Sequence, residues 1–211
     1  MPSQEDAGAL QAAQQLIKAE AAALMGLQSQ LDTRLMTAAQ LILQRPGKVL
    51  TAGVGTSGHV AQRLAHLLSV TGTPAVFVHP ADGLHGGLGV VQPGDVLFSV
   101  SKGGQSEELN EFTRRAKKLG AKIIVLTMDP NSELSQLADL AVGLSIPAEA
   151  DPGGIVAMGS TLVTSAWGDA LSIILMQMRG YGWDSVLFTH PNGAVGARAP
   201  HGRSAMEGGC I

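Results

Sequence analysis

The sequence predicts an α/β domain: a three-layer αβα sandwich around a doubly wound, five-stranded parallel sheet, preceded by a pair of N-terminal helices. Three observations lead there. Short β-rich runs alternate with helical patterns of about 12 residues, as βαβ units require. The run at 122–128, KIIVLTM, is nearly all apolar, the pattern of a strand covered by helices on both faces. The composition, 45% hydrophobic with 27 glycines and only 3% aromatic residues, suits closely packed layers joined by many βα turns.

Over 5–45, Leu10, Ala13, Ile17, Ala21 and Leu24, then Leu31, Leu35, Ala38 and Leu41, recur at three and four, which predicts two amphipathic helices broken near Gly26 to Ser29 and stopped by Arg45-Pro46-Gly47. KVLTAGV (48–54) is a first strand, and from Ser57 the residues Val60, Leu64, Leu67 and Leu68 mark a helix face. AVFVH (75–79) reads as a second strand and DVLFSVS (95–101) as a third, followed by a helix with Leu109, Phe112, Ala116 and Leu119 on one face. KIIVLTM is the fourth strand and DLAVGLSI (139–146) the fifth. A long helix is expected over 156–180, then the short apolar run WDSVLF and THPNGAVG. Residues 1–196 are read as one domain, in keeping with a chain of 211 residues, and 197–211 as a flexible tail without apolar periodicity.

Bulk properties exclude several function classes. Charged residues are 15% of the chain and the net charge is −3, so no broad basic field exists to draw nucleic acid or an anionic membrane. The low charge suggests a surface covered by other subunits. Cys210 is the single cysteine, which leaves no disulfide framework and no cysteine metal site. The acidic start MPSQEDAGAL lacks a secretory pattern, so a cytoplasmic protein is expected. Residues 155–178 approach membrane-spanning length, but Asp169, Gln177 and Gly159-Ser160-Thr161 mark a buried core or subunit-interface helix instead.

Two loops carry the chemistry. Gly53, Gly55 and Gly58 give the G-x-G-x-x-G spacing of dinucleotide sites, but no acid stands at the end of the second strand, Val78-His79-Pro80, to hold ribose hydroxyls. The second loop, Ser101-Lys102-Gly103-Gly104-Gln105-Ser106, also follows an apolar strand and opens a helix, where hydroxyls and backbone N–H groups form an anion nest. Ser57 and Ser106 can also serve as plain helix caps, and Glu107 and Glu108 favour a helix N-terminus whatever the function. Two such loops on neighbouring strands converge on the crevice where doubly wound sheets bind ligands, and they suit one phosphate with a polar body attached better than a pyrophosphate.

Several stretches share one register with a known family: GVGTSGH, TGTPAVFVHPADGLHGGLGVV, PGDVLFSVSKGGQSEEL, the segment around Glu149, Ser160-Thr161, GDALSIIL and FTHPNGAVG. Together, over about residues 8–197, they resemble the sugar isomerase (SIS) domain, most closely its arabinose-5-phosphate isomerase branch. The resemblance implies an aldose–ketose isomerase that interconverts D-arabinose 5-phosphate and D-ribulose 5-phosphate through an enediol, without metal or nucleotide. It places phosphate contacts at Ser101 to Ser106, including Lys102, Gly103 and Gln105, with help from Gly55, Thr56, Ser57, Ser160 and Thr161. Acid and base groups fall on Glu108, Glu149 and His190, with Glu149 as the carbon base and His85 a further polar group. It also implies a homo-oligomer, by family a tetramer, in which His190 can complete a neighbour's site.

Three departures touch the ligand. Thr56 stands where the branch has a lysine, Lys102-Gly103 where it has asparagine and serine, and Ala157-Met158-Gly159 where it has a hydroxyl-rich run. Lys102 either restores the missing charge or points to solvent. Full-length members often add a pair of CBS modules, absent from this sequence, so no nucleotide control through them is expected. The alternatives are an isomerase of another phosphorylated sugar or sugar acid, or a phosphosugar-binding regulator without catalysis. DNA binding is disfavoured, because residues 1–45 hold only Lys18, Arg34 and Arg45 against Glu5, Asp6, Glu20 and Asp32.

Overall fold

A computed structural model describes residues 4–196; the tail expected at 197–211, with Cys210, lies outside the described residues. The N-terminal periodicity becomes helix α1 (Gln4–Leu27) and helix α2 (Thr33–Leu43), joined through a 3-10 turn at Gln28–Gln30. Asp32 caps α2 by accepting from Arg34 N, which satisfies one of the helix's orphan donors.

All five strands form, at β1 (Val49–Gly53), β2 (Ala75–Phe77), β3 (Val96–Val100), β4 (Lys122–Thr127) and β5 (Leu140–Gly143). They pair in parallel in the order β2-β1-β3-β4-β5, with Val49 opposite Val96 and Gly53 opposite Val100. The chain leaves β1 towards one edge and returns at β3 to build towards the other, so the switch point lies between β1 and β3.

Side-chain alternation along the strands sorts the core into two layers. Val49, Val96, Phe98, Val100, Ile124 and Leu126 pack towards α1, α2, helix α3 (Gly55–Val70) and helix α7 (Gly159–Met178). Leu50, Ala52, Leu97, Ile123 and Val125 pack towards helix α5 (Glu107–Lys118) and the short helix α6 (Glu133–Leu137). The sandwich read from the sequence is therefore observed. Of the 155–178 stretch, 159–178 form α7, which starts later than expected and whose Trp167 is buried beside Phe98; among the described residues no helix is long and apolar enough to cross a membrane.

Other elements depart from the sequence reading. Helix α3 begins at Gly55, its N-cap is Val54, and Ser57 sits inside the first turn, so Ser57 is not a cap. Ser106 does occupy the N-cap position of α5, but its side chain makes no capping bond. Pro80–Leu84 forms the short helix α4, and WDSVLF becomes helix α8 (Trp183–Thr189), followed by α9 (Gly193–Gly196). At the end of the sheet away from the switch-point loops, buried Asp95 accepts from Lys48 N and Gln92 N and pairs with Lys48 Nζ at 2.8 Å, tying β1 to β3.

Candidate active site

The two loops expected from the sequence flank the switch point. At the first, a Cβ on Gly53 would stand 2.8 Å from Ser57 O, and one on Gly58 would stand 2.8 Å from Gly53 O. The glycine spacing thus serves a strand-to-helix turn too tight for side chains, and it presents the first turn of α3, with its unpaired N–H groups, to the cleft. At the second, Gly104 N donates to Ser101 Oγ at 3.0 Å, Asn110 Nδ2 donates to Gly104 O, and Leu134 N donates to the same oxygen. Among the described residues, the N–H groups of Gly103, Gln105 and Ser106 have no protein partner and are available to donate.

Between these loops lies a cleft lined by Ser57, Val60, Val100, Ser101, Lys102, Leu126, Thr127, Met128, Ala157, Ser160, Thr161 and Thr164. It joins the start of α3 and the ends of β3 and β4 to the N-terminus of α7. Its hydroxyls are not equivalent. Thr161 Oγ1 donates to Met158 O at 2.6 Å and Thr164 Oγ1 to Ser160 O at 2.8 Å, but Ser160 Oγ, in a residue only 2% exposed, makes no well-aligned hydrogen bond, although it lies close enough to the Asp151 carboxylate to help stabilise its charge. A buried hydroxyl without a well-aligned bond costs up to about 1–3 kcal/mol, a penalty that a ligand oxygen would relieve.

Asp151, which no sequence pattern singles out, organises the wall of this cleft. Its Oδ1 accepts from Met158 N at 2.8 Å and Ser160 N at 3.0 Å, capping α7. Lys102 Nζ approaches Oδ2 to 2.7 Å as an ion pair and gives its aligned hydrogen bond to Gly154 O at 2.8 Å. Lys102 therefore neither points to solvent nor stands free as a spare charge. Burial pushes the Asp151 carboxyl up, but the Lys102 ammonium and the Ser160 and Met158 donors outweigh it and hold it at about 2, below its ordinary 3.8. A depressed carboxylate stabilises the fold fully above its unfolded value and loses that contribution as pH falls from about 4 to about 2. The size is ~2 kcal/mol. Asp151→Asn is expected to flatten the stability curve across that window in pH-dependent urea unfolding; an unchanged curve would contradict the pairing.

Of the residues expected at the site, Ser57, Ser101, Lys102, Ser160 and Thr161 come together on the cleft. Gly55, Thr56, Gly103, Gln105 and Ser106 belong to the same two loops but are not on its lining. Glu108 is half-buried in the first turn of α5. His85 is exposed at the end of α4. Glu149 is exposed on the 3-10 turn Ala148–Ala150, where it borders a wider groove formed with Ala12, Leu16 and Ala19 of α1. His190 ends α8, and its Nδ1 lies 2.7 Å from Val186 O. A carbonyl can only accept, so Nδ1 is the donor in this contact. Met128 and Thr164 escaped sequence reasoning, although a residue just past a strand end and one four positions after Ser160 on a helix were both findable.

Comparison with known proteins agrees with this geometry. Residues 42–173 match the SIS domain. The chain is 36% identical over 189 residues, 90% of its length, to "Arabinose 5-phosphate isomerase KdsD" of Pseudomonas aeruginosa, and equally to "Arabinose 5-phosphate isomerase GutQ" of Escherichia coli K12. It spans 58% and 59% of those two relatives. Among solved structures, a Listeria monocytogenes protein named provisionally as a sugar-phosphate isomerase superposes with a TM-score of 0.84 at 32% identity, over 91% of this chain and 100% of the other. An E. coli CFT073 protein solved in complex with arabinose 5-phosphate gives 0.82 at 28% identity over 90% of this chain and 100% of the other. With the domain spanning more than half of its length and the likeness running through both anion loops, this chain belongs to the SIS domain family.

Proposed function

We propose that this chain is an aldose–ketose isomerase of a sugar phosphate, interconverting D-arabinose 5-phosphate and D-ribulose 5-phosphate. The observation that carries the reading is Ser160: a buried hydroxyl without a well-aligned hydrogen bond, in a hydroxyl-rich cleft at the switch point of a parallel sheet and in the first turn of a long helix. Such a place suits a phosphate, whose oxygens accept from hydroxyls and from the free N–H groups of the loop at 101–106; the Ser160 N–H is already given to Asp151. The E. coli relative solved with arabinose 5-phosphate bound supports the same class of ligand.

Anchoring the phosphate leaves the sugar's C1 and C2 to be served by acid and base groups. Glu149 lifts the carbon-bound proton, the enediol forms, and His190 Nε2 moves a proton between the two oxygens, while Glu108 and His85 assist. Glu149 lies on the loop that Asp151 and Lys102 hold beside the cleft. The working unit is a homo-oligomer, by family a tetramer, with His190 offered to a neighbour; the exposed Leu10, Ile17, Met25 and Phe188 are apolar surface that such contacts would cover.

One observation favours a second reading, in which the substrate is another phosphorylated sugar or sugar acid. The ammonium of Lys102 is engaged by Asp151, so it does not replace the lysine that Thr56 lacks. Calorimetry against pentose, hexose and heptose phosphates separates the two. In either case Ser160→Ala is expected to raise the Kd of the best ligand about tenfold. Unchanged affinity would remove the phosphate site from this cleft.

A further inference from the structure

Lys102 lines the anion cleft, yet two contacts turn its ammonium towards Asp151 Oδ2 and Gly154 O. The other carboxylate oxygen of Asp151 takes the N–H groups of Met158 and Ser160 at the start of α7. A carboxylate is thus built into the helix N-terminus that the cleft uses. Unpaired, it would repel an incoming phosphate, because like charges a few ångströms apart interact strongly away from bulk water. It also fixes the backbone that carries Ser160 Oγ, a hydroxyl without a well-aligned hydrogen bond.

We propose that Lys102 and Asp151 are a positioning pair of this cleft: Lys102 acts through Asp151, cancelling its charge and holding the Ser160 turn, and is not itself a phosphate ligand. The inference rests on the cleft being a phosphate site. The departure at Lys102 then has its counterpart inside this chain at Asp151, and phosphate is held by hydroxyls and N–H groups with no free lysine.

A double-mutant cycle tests it, using K102M, D151N, the double variant and K102R in the full chain. The readouts are the Kd of D-arabinose 5-phosphate by calorimetry and hydrogen exchange at the Met158 and Ser160 amides. K102M is expected to weaken binding and to speed exchange, each about tenfold, and K102R to restore both. In the D151N background the same substitution should change each less than about threefold. A change of threefold or more in that background overturns the proposal. If K102M does not fold because it strands a buried carboxylate, D151N against the double variant still decides, since neither contains one. If the wild-type chain binds no sugar phosphate, the functional reading fails while the exchange comparison still decides the pair.

Discussion

Glu149→Gln is expected to lower kcat for pentose-phosphate isomerisation by about 10²- to 10⁴-fold with KM changed only a few-fold, the span that a positioned general base supplies. The amide keeps the size of the side chain and removes its basicity, so binding through the cleft should persist. Glu149 occupies an exposed 3-10 turn two residues before Asp151, not the cleft lining itself. The reacting carbons of a sugar anchored at Ser160 must then extend from the cleft towards residues 148–154. His190→Ala should lower kcat as well, because the Nδ1–H bond to Val186 O leaves Nε2 free to exchange protons. Steady-state assays of the two variants check this assignment. Full activity in both would remove these residues from the mechanism.

Gly104→Ala is expected to lower stability by about 2–4 kcal/mol and to weaken sugar-phosphate binding along with it. Two separate obstacles meet there. The backbone has φ 64°, a left-handed conformation that costs an L side chain about 1–2 kcal/mol. A Cβ would also lie 2.2 Å from Ser132 Oγ and 2.4 Å from Ser132 Cβ. Ser132 cannot easily yield, because it is buried and caps α6 by accepting from Ser135 N. Relief would move the turn whose N–H and C=O groups hold Ser101 Oγ, Asn110 and Leu134 in place. Urea unfolding measures the first effect and calorimetry the second; a loss below about 1 kcal/mol would show that the loop relaxes freely.

The sheet is legible in the sequence because its signal is local and repeated. Each strand is a short apolar run bounded by turn residues, and two loops at strand ends declare themselves through glycine and serine. That also explains why Ser57 and Ser101 can be found, one near a helix start and one at a strand end, whereas Ser160 and Thr161 come only from the family resemblance. What stays hidden depends on contacts between distant segments. Nothing in SIPAEADPGG tells Asp151, which is buried, from Glu149, which is exposed; the difference is that Lys102 and the start of α7 close over one and not the other. The fate of Lys102 is undecidable from sequence for the same reason. The short helices α4 and α6 are too brief for periodicity to show, and α8 hides in a run of seven residues. Ser57 reads as a cap because helix starts shift by a residue or two, and Val54 takes that position.

Incubation of the chain with D-arabinose 5-phosphate in D2O, followed by NMR, shows whether a carbon-bound proton is exchanged during turnover. Isomerisation through an enediol predicts deuterium at C2 of the aldose and at C1 of the ketose, with D-ribulose 5-phosphate accumulating, and with the rate falling in Ser160→Ala and Glu149→Gln. Absence of binding, exchange and ketose across pentose, hexose and heptose phosphates would contradict the account; tight binding without exchange would leave a phosphosugar sensor and contradict the catalytic half.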